Sequence, residues 1–107
     1  MPLLHKFQAR YMCAVHSVGE NACNGRIGSW LHATFGTEVN IGKLSRTAEE
    51  LLSLGFINIV ETNKKGRVIL EVTDTGFRAI EETLKTVRQA EKEKSIFEEV
   101  RRRKKLH

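Results

Sequence analysis

The chain has 107 residues, 40% hydrophobic and 29% charged, with a formal net charge of +5. That length suits one domain with one modest core and leaves little room for an enzyme cleft between domains. No apolar run approaches the ~20 residues a membrane span needs, and residues 1–4 are too short for a signal-peptide core. The sequence therefore reads as a mature intracellular, cytoplasmic protein, or one of a host cell if a virus or plasmid encodes it.

The first predicted element is a helix over residues 3–18. Leu4, Phe7, Tyr11, Ala14, Val15 and Val18 recur at helical spacing, and Gly19 follows as a stop. A second helix is predicted over residues 22–35, with Asn21 or Asn24 as its N-cap and Cys23, Ile27, Trp30, Leu31 and Phe35 as its apolar stripe. Gly25 and Gly28 each weaken such a helix by about 1 kcal/mol relative to Ala, which suggests that another helix packs close to them. Gly36 ends it.

Residues 39–56 carry the most information. Asn40 is a good N-cap. Ile41, Leu44, Ala48, Leu51 and Leu52 form one face, and Lys43, Arg46, Thr47, Glu50 and Ser53 fall on the other. The basic and hydroxyl residues come early and the acids late. Gly55 suits the left-handed position after a helix, with Phe56 folding back over the last turn.

Residues 57–72 alternate as two strands around Asn63-Lys64-Lys65-Gly66, a β-hairpin with a basic tip. A last helix is predicted from Asp74 or Thr75 to about Arg103. Its Phe77, Ile80, Leu84 and Val87 are spaced 3, 4 and 3 residues apart, the pattern of an a/d seam. The seam lapses at Glu91 and Lys94 and resumes weakly at Ile96, Phe97 and Val100. So long a helix needs a partner for part of its stripe, so these four residues are read as a homodimer interface.

The basic charge is unevenly placed. Arg101, Arg102, Arg103, Lys104 and Lys105 supply five positive charges, and the remainder of the chain is about neutral. The cluster reads equally as a phosphate-gripping tail or as a solvated end, so the case for nucleic acid rests on where charges sit in the fold.

The order helix, helix, helix, hairpin, helix is that of an α+β winged helix-turn-helix. In such a module the second helix of the pair enters the major groove, with its early residues on base edges. Asn40, Lys43, Ser45, Arg46 and Thr47 are suitable donors and acceptors there. Lys64, Lys65 and Arg67 would lie along a phosphate backbone or in a minor groove, adding salt-dependent affinity. Residues 1–76 are read as the DNA-binding domain, and 77–107 as a dimerisation helix with a basic tail in the same domain.

Across about residues 11–85 the sequence resembles winged-helix regulators of the PadR and MarR type and small winged-helix proteins of archaeal viruses and plasmids. The resemblance lies in residues 39–57 and in Val72-Thr73-Asp74-Thr75-Gly76-Phe77-Arg78-Ala79-Ile80-Glu81-Glu82, which is similar to the PadR turn that opens the last helix. Ser45 and Arg46 stand where PadR proteins usually carry an aromatic residue and a proline, and Asn24-Gly25-Arg26 replaces their Gly-Tyr pairing. The resemblance implies the winged-helix module and dimerisation through the terminal helix.

Three functions compete. The first is a dimeric regulator of transcription bound to double-stranded DNA. The second is a winged-helix protein-protein interaction module without DNA binding. The third is a metal- or redox-responsive regulator using Cys13, Cys23 and nearby histidines, although the two cysteines also read as plain free thiols or as a disulfide pair. No nucleophile motif, phosphate loop or metal-ligand spacing is present, so neither enzyme activity, a cofactor nor a metal site is expected.

Overall fold

A computed structural model describes residues 4–62 and 66–86, with the side chains of 84–86 set aside. The chain runs α1 (Lys6–Val18), a short 3-10 turn (Gly19–Asn21), α2 (Asn24–Phe35), α3 (Ile41–Ser53), β1 (Ile57–Thr62), β2 (Val68–Val72) and α4 (Asp74–Thr86). No helix among the described residues is long and apolar enough to cross a membrane.

The helix ends follow local chemistry. Cys23, in extended conformation, is the N-cap of α2, between the two asparagines expected there, Asn21 and Asn24. Gly36 closes α2 with left-handed backbone at φ 69°. α3 begins as expected, with the Asn40 side chain accepting the Lys43 N–H. It ends in a Schellman turn: the Gly55 N–H donates to the Leu52 carbonyl and the Phe56 N–H to the Leu51 carbonyl. Gly55 stands at φ 77°, a region a side chain resists.

Tyr11, Met12 and Val15 of α1 sit at the centre of the core. Ile27 and Leu31 of α2, Leu44 and Leu51 of α3, Phe56, Ile57 and Leu70 of the hairpin and Phe77 and Ile80 of α4 close around them. The strands pair antiparallel from Ile57↔Val72 to Thr62↔Val68, with a bulge between Ile59 and Glu61. The bulge interrupts the alternation expected from the sequence. Ile69 and Leu70 are both buried, while Ile59 and Val60 are exposed. The Leu70 N–H donates to the Ala22 carbonyl, which ties β2 to the segment joining α1 and α2.

Thr73 joins α3, the hairpin and α4. Its N–H donates to the Phe56 carbonyl, its hydroxyl donates to the Gly55 carbonyl, and the same oxygen accepts the Gly76 N–H. It therefore caps α4, a role expected of Asp74 or Thr75. Thr73→Val keeps the shape and deletes both side-chain hydrogen bonds. The expected cost is about 1–2 kcal/mol, read from urea denaturation.

Candidate nucleic-acid interface

α2, the turn at residues 36–40 and α3 form the helix-turn-helix. A Cβ on Gly28 would lie 3.2 Å from a Leu44 methyl and 3.4 Å from a Val39 methyl, so the two helices meet closely here. Nothing lies within 4 Å of the same position on Gly25, so the close approach expected of both glycines belongs to Gly28. Arg10 of α1 steadies the turn: its guanidinium donates to the Thr37 hydroxyl at 3.0 Å and lies 4.4 Å from the centre of the Phe35 ring.

α1 also fixes one flank of α3. The Gln8 amide donates to the Glu50 carboxylate at 3.0 Å. The Lys43 ammonium stands 4.3 Å over the Phe7 ring, a cation–π contact. Lys43 is exposed but engaged, and must leave Phe7 to reach DNA. The Asn40 side-chain oxygen is engaged in its cap, which leaves the two N–H donors of its exposed amide. Thr47, expected on the solvent face, is 6% exposed, and its hydroxyl donates to the Lys43 carbonyl. Its burial removes it from the candidate DNA contacts: it sits on the flank of α3 that packs inward, and its hydroxyl is satisfied by its own helix.

The side chains of Ser45, Arg46 and Glu49 are all exposed, and none of these side chains makes a hydrogen bond, ion pair or ring contact with another described residue. They lie on the outward side of α3, opposite Leu44, Ala48 and Leu51. Ile41, read from the sequence as part of the apolar face, is 79% exposed in the first turn.

On the hairpin, Lys64 and Lys65 lie outside the described residues. Gly66 takes the positive φ expected of it, 75°, and Arg67 is exposed beside Cys23. A groove of about 930 Å³ runs between α2, the start of α3 and β2, lined among others by Cys23, Gly28, Ile41, Leu44, Arg67 and Val68. Burial raises the pKa of the Cys23 thiol, but the backbone N–H groups of Arg26 and Gly25 and the Arg67 guanidinium outweigh it, and the net direction is down. Cys13, wholly inside the core, is pushed far up by burial alone. Both thiols are free. No cluster of three metal-ligating side chains occurs among the described residues. Cys23 is 4% exposed and Cys13 wholly buried, so with iodoacetamide at neutral pH the folded protein is expected to label slowly and first at Cys23, and the denatured protein to take two labels quickly, counted by mass spectrometry.

The expected dimer seam divides. Phe77 is 7% exposed and Ile80 1%, both packed in the chain's own core. They have no surface to offer a second copy, which corrects that part of the expectation. The side chains of Leu84 and Val87 lie outside the described residues.

No protein-family model matches the chain, and no curated protein matches it. A solved structure does: RosR of H. salinarum superposes with a TM-score of 0.62 at 25% identity, over 97% of this chain and 96% of that one. The fold is a winged helix. Within it α3 is the second helix of the helix-turn-helix and β1–β2 the hairpin that follows it. The narrower likeness to PadR and MarR proteins rests on the sequence motifs alone.

Three features of this site were not read from the sequence: the contact of Lys43 with Phe7, the placement of Cys23 beside Arg67, and the exposure of Ile41. The first two join residues far apart in the chain, and no local pattern marks them.

Proposed function

We propose that this protein is a non-enzymatic, intracellular regulator of transcription that binds double-stranded DNA as a homodimer. α3 enters the major groove. Arg46 donates to guanine O6 and N7, and Ser45 reaches a neighbouring base edge or phosphate. The hairpin follows the backbone through Arg67, Lys64 and Lys65. One observation carries the reading: on a helix whose other basic side chain is tied to α1, Arg46 stands outward and uncommitted. The winged-helix likeness to RosR supports it.

The homodimer reading rests on the sequence pattern of Leu84 and Val87, continued by Ile96, Phe97 and Val100. Two copies of α3 then address half-sites about one helical turn apart. Titration of labelled duplexes at several salt concentrations, followed by fluorescence anisotropy, tests the reading. Affinity is expected to fall steeply with salt, and a selected pseudo-palindrome is expected to bind more tightly than random sequence.

A further inference from the structure

Ile41 occupies the first position of α3 and is the most exposed of the large hydrophobic residues described. It adds little to the core, and a β-branched residue has no propensity advantage in a helix. The Asn40 cap holds the turn that carries it. Its chain neighbours, Asn40 and Gly42, are exposed as well, and Gly42 has no side chain to shield it. On the groove side it meets a rim that includes Arg67 and Val68 of the hairpin. Val68 on that rim is exposed as well, so the exposed apolar surface here amounts to two side chains across a groove, far less than the contiguous patch a protein interface buries.

The major groove presents one apolar group to a recognition helix, the 5-methyl of thymine. The early residues of that helix meet base edges. We propose that Ile41 packs against a thymine methyl and so reads a T·A pair, five residues before the position read by Arg46. This rests on the DNA-binding reading above and names a further specificity residue of the same site.

The test replaces each thymine of the selected duplex in turn with deoxyuridine, which removes the methyl and leaves the pairing edge unchanged. Wild-type protein is expected to lose about three- to fivefold in affinity at one thymine per half-site, the worth of one buried methyl. Ile41→Ala, a change at an exposed position that is expected to leave the circular dichroism unchanged, is expected to bind the two duplexes equally there. Indifference of the wild type to deoxyuridine at every position overturns the inference, as does an undiminished methyl effect in Ile41→Ala. Selective duplex binding without a methyl effect removes the role of Ile41 alone. Absence of selective binding to any duplex removes the DNA reading itself.

Discussion

Gly76→Ala is expected to destabilise the fold by about 3 kcal/mol, near the upper end of the range for overpacking, and so to populate unfolded protein at room temperature if the small domain is marginally stable. The first turn of α4 passes so close to the end of α3 that a Cβ on Gly76 would stand 2.2 Å from the Phe56 carbonyl oxygen. It would also lie 2.8 Å from the Met12 methyl and 2.9 Å from a Val72 methyl. A flexible methionine can move aside. The carbonyl cannot, because it accepts the Thr73 N–H and the adjoining turn is locked by Gly55. The whole of α4 must therefore shift, and Phe77 and Ile80 leave the core with it. Urea denaturation followed by circular dichroism measures the loss. A midpoint within error of wild type would mean that α4 does not approach α3 as described.

Arg46→Glu is expected to remove preference for the selected duplex, leaving at most the weak affinity shared with random DNA. The change subtracts a donor pair worth about 1–3 kcal/mol of discrimination and sets a carboxylate against the acceptors of guanine. Folding is expected to be unchanged, because Arg46 is exposed and bonded to no other described residue. Lys43→Ala serves as the comparison. It removes the cation–π contact with Phe7, so it is expected to lower stability by about 0.5–1 kcal/mol.

The features that could be read from the sequence are those whose cause is local. Asn40 caps α3, Gly55 ends it and Gly66 turns the hairpin because each residue type suits a backbone conformation or an orphaned N–H within a few positions of itself. The element order was legible for the same reason. Thr47 and Ile41 were misplaced because both lie on flanks of α3 where the helical period does not decide exposure. What decides it is the packing of α1 against one flank, a contact between residues some forty positions apart, such as Gln8 and Glu50. The seam of α4 shows the same limit. A stripe at 3-4-3 spacing is identical whether a helix packs on its own core or on a second copy, and here Phe77 and Ile80 serve the core. The capping of α4 by Thr73 was displaced by one residue, since Thr73, Asp74 and Thr75 are all competent caps and only the position of the Gly55 carbonyl selects among them.

The measurement that bears most directly on DNA reading is the ratio of affinities for selected and random duplexes, determined with residues 101–107 deleted. The deletion removes the five clustered charges and leaves α3 and the hairpin intact. A ratio of a thousandfold or more, of the order typical of specific binding, is predicted to survive the deletion in the wild type and to vanish with Arg46→Glu. Binding that is unselective, and lost with the tail, would contradict a role for α3 in reading DNA and leave the winged helix as a scaffold for another protein.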